Sequence, residues 1–248
     1  LTVAFTTATS GVCTVSGTIV TVLTAGTCTI NANQAGDTNY EAASQVSQSF
    51  TIAKATPSLS SFNHAFRTKD VPTFTLTAPT VTNSLPGSFS YTSATTATAT
   101  ISGDTVTLGN VGTTVITATF TPTDTTNYNN SSIQMTLTVS RATQATLSIT
   151  SLTTNSKTYS YLSNLQALSI TTSGGSGTGA ITFAIALGGS ATGCALSNAT
   201  ATATVSAISA GTCWIRATKA ADSTYDARSS ETFTFTFTKA TPTLSDFP

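Results

Sequence analysis

The chain repeats itself. Lys54-Ala-Thr-Pro-Ser-Leu-Ser-Ser-Phe62 returns as Lys239-Ala-Thr-Pro-Thr-Leu-Ser-Asp-Phe247, and a weaker copy starts at Arg141-Ala-Thr. The copies lie roughly 90 residues apart, the size of one small two-layer β domain. The stretches between them repeat as well. The first reads Val12-Cys-Thr-Val-Ser-Gly17, Ala25-Gly-Thr-Cys-Thr-Ile30 and Gly36-Asp-Thr-Asn-Tyr40. The second answers with Thr98-Ala-Thr-Ile-Ser-Gly103, Val111-Gly-Thr-Thr-Val-Ile116 and Asp124-Thr-Thr-Asn-Tyr128. The third has Gly193-Cys-Ala-Leu-Ser197, Ala210-Gly-Thr-Cys-Trp-Ile215 and Asp222-Ser-Thr-Tyr225.

Each repeat ends in an alternating run, such as Thr232-Phe-Thr-Phe-Thr-Phe-Thr238. Strict alternation puts one face of a strand in a core and the other in water. Thr and Val are β-branched and suit strands. Charged residues make up only 7% of the chain, and long helix-forming side chains are scarce. In the second repeat the pattern predicts seven strands, at 58–63, 74–77, 87–92, 97–101, 105–108, 113–120 and 133–139. Gly103-Asp104 should turn a hairpin, and Ser173-Gly-Gly-Ser-Gly-Thr-Gly179 should form a loop tip in the third repeat. The expected fold is all-β: tandem immunoglobulin-like Greek-key β-sandwiches arranged as an extended rod, because the Lys-Ala-Thr-Pro junctions are short and extended.

The expected boundaries are 1–53, 54–141, 142–239 and 240–248. The first repeat lacks its first strands, the next two are complete, and the last stretch is the first strand of a further repeat. Two explanations remain open for the incomplete first repeat. Either the chain is a window of a longer one, or a terminal strand of another copy fills the gap.

Cysteines stand at 13, 28, 194 and 213. Cys13 aligns with Cys194 and Cys28 with Cys213, while the second repeat has Ala99 and Thr114 at those places. Both are present or both are absent, which predicts Cys13–Cys28 and Cys194–Cys213 disulfides and an oxidising compartment. Four buried thiols in a reduced cell are the alternative.

Asp37, Asp124 and Asp222 precede Tyr40, Tyr128 and Tyr225 by three or four residues. One carboxylate per turn fits an Asx turn with a packed tyrosine better than a calcium site. Trp214 follows Cys213, so alternation turns it away from the core. With Tyr159 and Tyr161 it is a candidate contact for sugar or protein, against the plainer role of covering a sheet edge. Asn129, Asn130 and Asn198 begin N-x-Ser/Thr sequons, relevant only in a host that glycosylates them.

Catalysis finds little support. His64 is the single histidine, and no carboxylate pair, phosphate loop or dinucleotide fingerprint is present. Net charge is zero, which disfavours nucleic acid, and no apolar run is long enough to span a bilayer. No metal and no cofactor is expected.

The phrase Ala25-Gly-Thr-Cys-Thr-Ile-Asn-Ala-Asn-Gln-Ala-Gly-Asp-Thr-Asn-Tyr40, with Gln48-Ser-Phe-Thr-Ile52 and Lys54-Ala-Thr-Pro57, resembles the bacterial immunoglobulin-like (Big/MBG-type) tandem repeats of large secreted surface and adhesin-like proteins. The resemblance runs over essentially the whole chain. It implies secretion, a β-sandwich and tandem display from a bacterial surface, with no catalytic residue to carry over. The function expected is that of a non-enzymatic stalk or fibre segment whose partners are copies of itself or adjacent repeats. An adhesive module that binds glycan or host protein is the competing reading.

Overall fold

The computed structural model describes residues 1–150, 170–200, 204–239 and 241, together with the backbone of Ser156–Tyr159. The chain forms two compact units. One comprises Leu1–Ala65, Thr73–Gly109 and Thr113–Thr138; the other comprises Phe66–Pro72, Asn110–Gly112 and Val139–Pro248.

The first sequence repeat holds five strands: β1 (Ala4–Thr7), β2 (Cys13–Ser16), β3 (Ile19–Val22), β4 (Gly26–Asn33) and β5 (Val46–Ile52). They pair as a three-stranded sheet β1-β4-β5 and a hairpin β2-β3. The second repeat holds nine: β6 (Leu59–Ser60), β7 (Ala65–Thr68), β8 (Thr73–Thr75), β9 (Thr80–Val81), β10 (Gly87–Ser93), β11 (Ala99–Ser102), β12 (Thr105–Leu108), β13 (Gly112–Pro122) and β14 (Ser131–Ser140). One sheet runs β10-β13-β14-β7, a second β11-β12-β8, and β6 pairs β9. The chain thus alternates between two sheets with neighbours that are not consecutive, which is the Greek-key arrangement expected from the alternation.

Seven strands were expected in this repeat, and two more are found. β7 was hidden because its side chains contradict its pattern: Arg67 points inward, partly covered, while Phe66 is 72% exposed. β9 is two residues long and flanks a 3-10 turn at Thr82–Ser84.

The third repeat holds β15 (Leu147–Ile149), β16 (Ser156–Tyr159), β17 (Thr172–Gly174), β18 (Ile181–Ala186), β19 (Ala195–Leu196), β20 (Val205–Ser206), β21 (Gly211–Lys219), β22 (Arg228–Ser229) and β23 (Phe233–Lys239). Its main sheet runs β16-β23-β21-β18, with β22 also on β21. β15 pairs β17, so Ser173 and Gly174 of the expected loop tip belong to a strand. Among the described residues there is no α-helix, and no helix long and apolar enough to cross a membrane.

The cores follow the alternation. Ile116, Ala118 and Phe120 of β13 and Leu137 and Val139 of the adjacent β14 are all buried. In the third repeat Leu147, Ile170, Phe183, Val205, Cys213, Ile215, Ala217 and Phe235 form one cluster. The Gly-Thr phrase that opens β4, β13 and β21 has a backbone reason. Gly26, Gly112 and Gly211 have φ of 145°, 147° and 139°, a region that side-chain-bearing residues rarely enter. The predicted hairpin is present: Ser102 pairs Thr105 across Gly103-Asp104, and Gly103 takes φ 61° as the first residue of a two-residue loop.

Candidate functional site

The polar contacts of this chain recur where the entry segment of each complete repeat docks on an aspartate turn. The building block is the aspartate turn. Asp37 Oδ1 accepts the backbone N–H of Asn39 (2.7 Å) and Tyr40 (2.9 Å). Asp124 Oδ1 accepts from Thr126 and Asn127, both at 3.1 Å. Asp222 Oδ1 accepts from Thr224 (2.7 Å) and Tyr225 (2.8 Å). A carboxylate two or three residues upstream satisfies amides that a tight turn leaves without backbone partners. In all three turns the carboxylate is engaged by backbone N–H donors. No group of three or more His, Cys, Asp or Glu that could hold a metal gathers among the described residues.

The short junction phrase docks on the turn. Ala55 makes a parallel β-bridge to Tyr128: its N–H donates to the Asn127 carbonyl, and its carbonyl accepts the Asn129 N–H, both at 2.8 Å. Ala142 repeats this at Tyr225, donating to the Thr224 carbonyl (2.8 Å) and accepting from the Asp226 N–H (2.9 Å). The preceding basic residue caps the same turn. Lys54 Nζ donates to the Thr125 carbonyl (2.6 Å), and Arg141 Nε to the Asp222 carbonyl (2.8 Å). The Arg141–Asp226 ion pair at 3.9 Å is exposed and adds little.

Each turn makes one further contact. Asn127 Oδ1 accepts the N–H of Ala25, tying the turn of the second repeat to the first repeat at 2.8 Å. Gln144 occupies the place of Pro57, is 2% exposed, and donates through Nε2 to the carbonyls of Ala220 (3.0 Å) and Asp226 (2.8 Å). Sequence reasoning missed this clamp because Ala and Thr carry no pattern. The recurrence of a basic residue before Ala-Thr was its one visible signal.

The Asp222 carboxyl is held down at about 2. The backbone N–H of Thr178, from the glycine-rich loop, contributes most, followed by those of Tyr225 and Thr224. Asp124 is lowered mainly by the side-chain amide of Asn127. A depressed carboxyl stabilises the fold above its unfolded pKa of about 4 and stops doing so as pH falls through its folded pKa. NMR titration of the Asp222 carboxyl carbon should therefore show a midpoint near 2. Acidification from about pH 4 to 2 should loosen the loop at Thr178 in the native chain. In Asp222→Asn that acid-induced loosening should be absent.

The four cysteines form two disulfides. Cys13 joins Cys28 and Cys194 joins Cys213, with sequence separations of 15 and 19. Cys13 lies on β2 and Cys28 on β4, so the first bond links the two sheets. In the second repeat Ala99 (0%) and Thr114 (3%) are buried at the equivalent places. The Thr114 hydroxyl there meets Ser93 Oγ (3.0 Å) and accepts the Thr95 N–H (2.9 Å).

Trp214 is half-buried. Its ring lies over Gly188, where an added Cβ would come within 2.3 Å of the indole. It covers the β18 end of the sheet, where Ala186 is its cross-strand partner. The backbone of Tyr159 lies on β16, paired in parallel with β23, and Tyr161 lies outside the described residues.

No family model matches the sequence, and no curated protein matches it. Among solved structures, human protocadherin-24 EC1-2 (Form II) is similar at 13% identity, over 75% of this chain and 99% of that one, with a TM-score of 0.35. Mouse cadherin-23 EC22-24 is similar at 12% identity, over 96% and 86%, with a TM-score of 0.32. Surface layer protein SbsC, domains 4-9, is similar at 16% identity, over 96% and 39%, with a TM-score of 0.25. At such distances the tandem-sandwich architecture of this chain follows from its own strand pairing and from nothing borrowed.

Proposed function

We propose that this chain is a non-enzymatic structural segment of an extracellular bacterial surface or filament-forming protein. In this reading tandem immunoglobulin-like repeats, divided at 53/54, 141/142 and 239/240, act as a stalk or fibre. The observation that carries it is the clamp built twice on one plan: a basic residue and a parallel alanine bridge on an aspartate turn. Two backbone hydrogen bonds and a capping cation tie the entry segment of each complete repeat to that repeat's own aspartate turn, which resists shear better than an undocked linker does. The disulfides support an oxidising, extracellular setting.

Pulling the full chain from its ends tests this. Stepwise unfolding that is recovered on relaxation is expected. Reduction should lengthen two of the steps, by about 50 and about 65 Å, as the loops behind the disulfides pay out at ~3.5 Å per residue. Irreversible unfolding in one event would count against the reading. A glycan array probes the adhesive alternative: no uptake is expected, whereas binding abolished by Trp214→Ala would replace the stalk reading with an adhesive one.

A further inference from the structure

The outer edges of the sandwich sheets differ in how they are protected. The four-stranded sheet of the second repeat has β7 on one side and β10 on the other. β7 is four residues long and turns Arg67 inward. A short edge strand with an inward charge resists an arriving strand, because pairing there would bury the guanidinium. In the third repeat the edge strand β18 carries no charge but is partly closed: the Phe183 N–H donates to the Ala199 carbonyl at 3.0 Å.

β10 has neither protection. It runs seven residues, Gly87-Ser-Phe-Ser-Tyr-Thr-Ser93, without a charge or a proline. Its register on β13 passes from Gly87 opposite Pro122 to Ser93 opposite Ile116 without a bulge. Among the described residues β13 is the only strand that pairs with it. The strand belongs to the middle repeat, with described chain on either side of it. On its inner side Phe89 and Tyr91 are only half-buried, stacked on each other with ring centroids 6.2 Å apart. A straight, uncharged edge beside half-covered aromatic rings is a template for one more strand.

We propose that β10 pairs with β10 of a second copy of the chain, antiparallel and centred on Ser90, so that the four-stranded sheets of two copies become one continuous sheet. The strand is self-complementary in that register. Ser90 faces the second copy's Ser90, Phe89 faces its Tyr91, and Ser88 faces its Thr92. Each half-covered ring thus meets an aromatic neighbour, a cross-strand pairing that stabilises antiparallel sheets. Ser88, Ser90 and Thr92, all exposed, meet hydroxyls on the outer face and no charge. The contact is isologous, so it closes at two copies and joins neighbouring stalks side by side. With zero net charge, copies do not repel each other.

Side-by-side pairing rests on the stalk reading above and names its partner. Its failure leaves the pulling result untouched, because that is measured on single chains. Sedimentation of the full chain over a range of concentrations tests it, together with the variants Ser90→Lys and Ser90→Glu. Association that grows with concentration is expected. Either variant alone sets like charges against each other at the centre of the pair. Each should weaken association about tenfold or more with unchanged circular dichroism. Mixing the two variants in equal amounts should restore it, because opposite charges then meet across the two-fold axis. A chain that stays monomeric at every concentration overturns the proposal. So does association that survives both variants, or that the mixture fails to restore.

Discussion

Phe120→Ala should destabilise the unit that contains it by about 3–5 kcal/mol, among the largest losses available to a single substitution in this chain. Phe120 is 1% exposed and packs on Phe89 with ring centroids 5.1 Å apart. Its ring also lies against Gly87, where an added Cβ would come within 2.4 Å of it. Removing the ring leaves a hole walled on one side by backbone, which cannot move in to fill it. Urea unfolding followed by circular dichroism, with hydrogen exchange of β10, β13 and β14, measures the loss. Trp214, the only tryptophan, lies in the other unit, and its fluorescence midpoint should stay where it is. A cost below about 1 kcal/mol would mean that the site collapses without a cavity.

The second large effect is expected from the sulfur bond beside Trp214. Replacing both Cys194 and Cys213 by alanine should cost about 3 kcal/mol, the loop-closure value for a span of 19 residues. Cys213 is fully buried between the sheets, so a cavity contribution adds to this. The neighbouring indole reports the change directly as a lower denaturant midpoint. A reducing agent should shift the native chain by a similar amount and leave the double variant unmoved. If the variant and the native chain unfold at the same midpoint, the bond contributes nothing to stability.

What was legible in the chain was whatever rests on side-chain alternation and repeat alignment. The run Thr232–Thr238 became β23 with Phe235 in the core, and the Gly103-Asp104 hairpin appeared where the glycine placed it. The pairing of cysteines followed from their joint absence at Ala99 and Thr114. What stayed hidden was written in the backbone. The bridges at Ala55 and Ala142 are made by peptide groups that every residue owns. β7 turns an arginine in and a phenylalanine out, so its polarity reads backwards. Nothing in the sequence marks Gln144, because only the folded turn supplies the two carbonyls that hold its amide. Trp214 was placed correctly on the side away from Cys213, but Gly188, which lies beneath it, is distant in sequence.

The cysteine-free middle repeat also bears on how the chain matures. Its slot at Ala99 and Thr114 closes with hydroxyl contacts, so this segment can finish folding before any oxidant acts. It also keeps the two thiol pairs far apart. A wrong bond from Cys28 to Cys194 would close a loop roughly ten times longer than the native ones. That handicaps scrambling by about 2 kcal/mol of chain entropy before geometry is considered. Each cysteine therefore meets its proper mate first, and correct cross-linking needs less help from an isomerase than four evenly scattered cysteines would.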